Sequence, residues 1–212
     1  MAGNAMSRRA SYMYGNLLPP SPRGQVGAGL GKTTSTGTFG LLEPTDLIGH
    51  EDHSIVLDGV ELRTLYTPDT EAPAEFVFYL PAWRALWTAE VVTHVQHNLY
   101  TLRGAQVRDA LSWSKAIDTM IARFGADTDL QFASHHWPTW GHEEALELLR
   151  SQRDTYRYLH DETLRLANRG ETMLEIAEEL ELPPALAATW SSRGYYGSAN
   201  HNAKAIYQRY LA

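Results

Sequence analysis

Apolar and polar positions alternate with one rhythm before residue 141 and another after it. "SIVLDGVELRTLYT" alternates with a strand period on either side of Asp58-Gly59, a dipeptide favoured in tight hairpin turns, and so predicts a β-hairpin. "EFVFYLPAW" and "RALWTAE" follow as two further apolar runs of strand length, and "LQFASHHWP" reads as a buried strand stopping at a His-His-Trp-Pro loop. Between them, "TLRGAQVRDALSWSKAIDTMIARFG" places Val107, Leu111, Ile117 and Ile121 at helical spacing and ends on Gly125, a residue suited to a helix C-terminus. Beyond Gly141 the pattern is helical. Ala145, Leu148, Leu149, Tyr156, Leu159 and Leu166 form one stripe that starts in an acidic turn and stops at Gly170. Thr172 to Glu175 has the spacing of a capping box opening another helix, which Pro183-Pro184 ends. The first 45 residues are rich in Gly, Pro, Ser and Thr, show little periodicity, and read as a long irregular segment. A boundary at 140/141 is therefore expected, with strands and one helix before it and helices after it.

Composition narrows the chemistry. The chain has 212 residues and a formal charge of −7, which argues against a phosphate-backbone partner because no basic stripe is available. No window approaches the roughly 18 apolar residues of a membrane span, and "MAGNAMSRRASYMYG" has no apolar core of a secretory signal. With no cysteine, any metal must be held by the nine histidines and the acids. "GQVGAGLGKTT" invites a phosphate-loop reading, but the position five before Gly31 is Val26, and Gly27 and Gly29 would need a third glycine where Lys32 stands. "TMLEIAEELELPPALAATW" lacks side chains able to read a base edge in its second half, and reads as a packing or dimerisation element.

Candidate chemistry gathers at strand exits, where functional groups concentrate. Glu71 precedes "EFVFYL", Glu90 closes "RALWTAE" and His135 closes "LQFASH". Singly each reads as a solvated residue; together two Glu and one His make a set for a hard-to-borderline metal. His50 to His53 resembles a metal-binding run but, lying just before the hairpin, reads as a surface loop. Downstream of Glu90, "THVQHNLYTLRGAQVRDA" adds His94, His97, Asn98, Tyr100 and Arg103; beside a metal site Arg103 could fork onto an oxyanion, although these residues serve equally as the polar start of a helix. "RGYYGSANHN" brings Tyr195, Tyr196 and His201 in a loop that could present a general acid or simply pack.

The segments "EAPAEFVFYLP", "AEVVTHVQHNLYTLRGAQVRDALSWS", "ASHHWPTWG", "QRDTYRYLHDETLRLANRG" and "RGYYGSANHNAKAIYQRYL" resemble, in order, the alkyl sulfatases of the metallo-β-lactamase superfamily. The resemblance implies an α/β fold: a partial αββα sandwich over 1–140, followed by an all-α dimerisation domain over 141–212. It implies Glu71 and Glu90 as ligands of a two-zinc site, with Glu90 bridging and His135 on the second metal. Arg103, Thr36 and Thr38 would bind the sulfate, and His201 would stand near the leaving oxygen. The substrate would be a detergent-like alkyl sulfate and the assembly a homodimer, with no nucleic acid partner. The superfamily's His-x-His-x-Asp-His motif does not occur in these 212 residues, so a truncated, catalytically silent chain that keeps dimerisation is the alternative expectation. One face of the sheet should then be uncovered. From the failed glycine register, millimolar ATP is expected to leave the thermal unfolding midpoint of the chain unchanged; an ATP-dependent rise would restore the nucleotide reading.

Overall fold

In this computed structural model the described residues are 2–27, 40, 42–49, 53–101 and 105–212. The chain forms two compact units, one of residues 1–47 and 101–106 and the other of residues 48–100 and 107–212. The smaller unit opens with helix α1 (Ala2–Met13), which corrects the expectation of an irregular start. Its sequence offers good helix formers without a clean apolar stripe, so periodicity alone passes over it. A β-bridge joins Pro20 to Gln25, and the Gln25 amide donates to Tyr14 O at 3.0 Å and to Asn16 Oδ1 at 2.6 Å. The glycine-rich run from residue 28 to 39 lies outside the described residues, as do Thr36 and Thr38.

The larger unit holds a mixed sheet followed by helices, as the fold-class expectation required. The strands β1 (His53–Leu57), β2 (Val60–Tyr66), β3 (Phe76–Leu80), β4 (Ala85–Trp87), β5 (Leu130–Phe132) and β6 (Thr139–Trp140) lie in sequence order across it. Every neighbouring pair is antiparallel except β4 and β5. Parallel neighbours need a long crossover, and helix α2 (Ala110–Phe124) lies within that connection. Asp58 (φ 49°) and Gly59 (φ 81°) both take left-handed backbone at the β1–β2 turn, as a two-residue hairpin requires.

Alternation along the strands separates two faces. Val77, Tyr79 and Leu86 point into the core with Trp113, Ile117, Met120 and Phe124 of α2, and Tyr79 stacks on Phe124 at 5.3 Å. Phe76, Phe78, Trp87 and Phe132 share the opposite face, touch one another ring to ring and stay half-exposed. The buried stripe of α2 is not the expected one. Ile117 is common to both, but Leu111 and Ile121 are half-buried while Trp113 and Met120 turn inward. Helix α2 also begins at Ala110 rather than with the preceding loop, because Asp109 caps it by accepting from Leu111 N at 2.9 Å and Ser112 N at 3.3 Å. It ends at Gly125 as expected, yet this glycine is right-handed (φ −55°) and continues as a 3₁₀ turn; its missing side chain leaves room for Leu146.

Helix α3 (His142–Asn168) buries all six residues of the predicted stripe. The Thr172 capping box opens α4 (Met173–Glu179), and Pro184 starts the short α5 (Pro184–Ala187). Helix α6 (Ala199–Leu211), capped by Ser198, closes the chain and packs on α3 and α4. Asp109 joins distant parts of this unit: its carboxylate also accepts from Tyr210 Oη at 3.0 Å and pairs with Arg209 at 3.2 Å. Burial opposes that charge, but Tyr210, Arg209 and the two helix amides outweigh it and hold the carboxyl below its ordinary range. Asp109→Ala should therefore lower the chain's stability in urea unfolding by about 1–2 kcal/mol, the upper part of the range for lost caps. An unchanged midpoint would refute Asp109 as a fastening point.

Candidate metal centre

Three loops at one edge of the sheet build the site. The β2–β3 loop carries Glu71. It is held by Thr67 N donating to Glu75 O at 2.9 Å, by Thr70 Oγ1 donating to Thr67 O at 2.7 Å, and by Asp109 N donating to Asp69 O at 3.0 Å. The loop after β4 carries Glu90. Thr88 N and Oγ1 both donate to Phe132 O, and Ser134 N donates to Ala89 O at 2.9 Å, which draws the β5 exit with His135 alongside. Ala89 (φ 50°) and His136 (φ 69°) are left-handed without being glycine. Each adjoins a predicted ligand, and strained backbone of this kind persists where the surroundings over-determine it.

Glu71, Glu90 and His97 bring one ligand atom each within 4.8 Å of one another. His97 Nε2 faces Glu90 Oε2 at 2.8 Å, and His135 Nε2 faces Glu90 Oε1 at 3.1 Å. The Glu90 carboxylate thus lies between two imidazoles, one almost fully buried and one half-exposed. The His97 bond outweighs burial and, with His135, lowers the Glu90 carboxyl to about 2. Glu71 is met by Arg108, whose guanidinium donates to its carboxylate and, through Nε at 2.7 Å, to its carbonyl. The same arginine donates to Asn98 O at 2.9 Å and approaches His97 Nδ1 at 3.4 Å.

Glu75 adds a third carboxyl against Glu71. Burial, followed by the charges of Glu71 and Glu90, pushes it up to about 7. Negative charge is therefore in local excess, and the proton that Glu75 retains is one response to it. The donor set of two carboxylates and an imidazole, with a second imidazole beside it, is of the kind that binds zinc. A cation between Glu71 and Glu90 would relieve the same excess.

Glu71, Glu90 and His135 are thus gathered at one place; the sequence names His97 only among the polar residues after Glu90, without a ligand role, and gives no signal for Arg108 or Glu75. His97 carries no periodic signal. It lies in irregular backbone and reaches Glu90 only through tertiary folding; its seven-residue distance from a candidate ligand is the sole hint. Arg103 lies outside the described residues. His201 is exposed, and its Nδ1 meets Ser198 Oγ at 2.9 Å at the start of α6. His53 is the exposed first residue of β1, and positions 50–52 lie outside the described residues.

The family described as "Alkyl sulfatase dimerisation" matches residues 172–212. A linear primary-alkylsulfatase from a Pseudomonas species is 56% identical over 211 residues, and the alkyl/aryl-sulfatase BDS1 of Saccharomyces cerevisiae is 49% identical over 211. Both matches cover 100% of this chain, and 31% and 33% of the respective relatives. The solved stereoselective inverting sec-alkylsulfatase Pisa1 from Pseudomonas superposes with a TM-score of 0.88 at 42% identity, over 99% of this chain and 33% of that one. The chain thus spans about a third of the length of these relatives.

Glu75 supplies a pH test in metal-free protein. Its folded pKa stands above the ordinary carboxyl value, so the folded state binds the extra proton. The associated stability is full below about 4.5 and is lost as pH rises through about 7. Glu75→Gln should be progressively more stable than wild type as pH increases from 5 to 8 in thermal unfolding. A stability difference independent of pH would show that Glu75 is not in that environment.

Proposed function

We propose that this chain, a homologue of the alkylsulfatases, provides part of the zinc-binding catalytic region and the dimerisation region of an enzyme that hydrolyses alkyl sulfate esters to an alcohol and sulfate. The observation that carries the reading is the convergence of Glu71, Glu90 and His97, with His135 on the far oxygen of Glu90. The family match at residues 172–212 supports it independently.

In this reading Glu71, Glu90 and His135 would hold the zinc, with Glu90 at the centre of the set. His97 either joins them or fixes the direction of the Glu90 carboxylate. Bound zinc would acidify water and gather the negative charge of the sulfate group. The protein's own groups do the rest. Arg108 balances Glu71 and ties it to the His97 loop. Arg103, with Thr36 and Thr38, would bind the sulfate oxygens, and His201 would assist proton movement near the leaving oxygen.

Residues 141–212 form the dimerisation domain in this proposal. Leu174, Trp190, Tyr195 and Tyr196 leave large apolar surfaces exposed in that region, which suits association with a second copy. A second reading has its own support. The described residues offer one three-donor cluster, fewer ligands than two zinc ions need. By itself, then, this 212-residue chain would be catalytically silent while still dimerising.

Two experiments separate these readings. In an enzyme with the complete catalytic region, Glu90→Gln should abolish measurable sulfate release from dodecyl sulfate and weaken zinc binding; normal turnover would refute the role of Glu90. The purified 212-residue chain should bind substoichiometric zinc and release negligible sulfate. Two zinc ions per chain together with turnover would reject the silent-chain reading.

A further inference from the structure

His97 is 1% exposed, and its ring lies among Trp113, at 5.4 Å, and Tyr196, at 4.7 Å edge-on. The segment bearing it, residues 96–99, has no regular secondary structure of its own. A buried irregular segment must have its backbone groups satisfied from elsewhere. Tyr156 of α3 accepts from His97 N at 3.0 Å. Most other partners come from the C-terminal part of the chain. Gln96 N donates to Arg193 O at 3.1 Å, Gln96 Nε2 to Ser192 O at 2.5 Å and Gly197 N to Gln96 O at 2.7 Å.

Asn202, 1% exposed on α6, uses both ends of its amide on this segment. Its Oδ1 accepts from Leu99 N at 3.0 Å, while its Nδ2 donates to His97 O at 3.1 Å and to Gln96 Oε1 at 3.4 Å. The two bonds span His97 to Leu99, so the side chain fixes both the position and the direction of that short stretch. An apolar residue of similar volume would leave a buried N–H and a buried C=O unpaired. Gly197 reinforces the grip by close approach: a Cβ there would overlap the His97 carbonyl and stand 2.8 Å from Asn98 N.

We propose that Asn202, assisted by the bare backbone of Gly197, is a positioning residue for the Glu90–His97 pair, holding the imidazole against the carboxylate from within the segment that matches the dimerisation family. The proposal builds on the metal-site reading in its kinetic consequence only; the clamp itself is a property of this chain. The candidate metal centre and the C-terminal helix are thereby one mechanical unit. Loss of the clamp frees the His97 ring and with it the direction of the Glu90 carboxylate. Groups that orient ligands in this way commonly change metal affinity or activity roughly 10- to 100-fold when removed.

The test compares Asn202→Ala and Gly197→Ala with Asn200→Ala. Asn200 sits on the same helix but bonds to Ala177 O and Glu178 instead, so it controls for general weakening of α6. In the 212-residue chain, hydrogen exchange over residues 94–100 should accelerate in the first two variants and not in the control. The His97 ring nitrogen resonances should also lose the signature of the Glu90 hydrogen bond. If Asn202→Ala does not fold, Gly197→Ala, which keeps every side chain of α6, decides. In the complete enzyme both variants should lower kcat on dodecyl sulfate about 10- to 100-fold with KM little changed. Exchange and ring resonances matching the Asn200→Ala control would overturn the proposal, as would normal kcat in an active enzyme. A wild-type enzyme without sulfatase activity would overturn the functional reading instead, and the exchange and resonance measurements would still decide the clamp.

Discussion

The structure depends on placing carboxylates close together in a half-buried loop cluster. Glu71, Glu90 and Glu75 repel one another there, and the fold surrounds them with compensating groups. Arg108 covers Glu71, two imidazoles cover Glu90, and Glu75 keeps its proton into the neutral range. Charge this concentrated is costly to bury for structural reasons alone. Its purpose is easiest to understand if a cation belongs among the carboxylates.

Such an arrangement must be held by more than the loops that carry it. Arg108 is 7% exposed and bonds both to the β2–β3 loop and to Asn98, so one side chain ties the Glu71 loop to the His97 loop. Ser134 and Ala89 tie the β4 exit to the β5 exit. Trp113 donates to Val91 O at 2.7 Å immediately after Glu90 and stacks on Tyr156, which itself receives the His97 amide. Helices α2, α3 and α6 therefore serve as more than a covering for one face of the sheet. Each supplies a buried polar group that satisfies the backbone of a loop bearing a candidate ligand.

What could be read in the sequence was what local spacing determines. The Asp58-Gly59 hairpin, the α3 stripe, the Thr172 capping box and the strand exits bearing Glu71, Glu90 and His135 all follow from neighbours a few residues apart. The remainder depends on contacts between distant positions. The stripe of α2 was misassigned because Trp113 turns inward to reach Val91 and Tyr156, which lie 22 and 43 residues away in sequence. His97 and Arg108 had no periodic signature, and their partners are fixed only when three loops meet. Helix α1 escaped notice because it lacks the apolar stripe by which amphipathic helices are recognised. The family resemblance implied ligand roles for Glu71, Glu90 and His135, which spacing alone left open.

Zinc-edge anomalous diffraction from crystals of this chain grown with zinc examines the central claim most directly. The account predicts a density peak within bonding distance of the Glu90 carboxylate and at least one of Glu71, His97 and His135, even at partial occupancy. Zinc found only at exposed histidines away from Glu90, with the Arg108–Glu71 and His97–Glu90 contacts undisturbed, would contradict it.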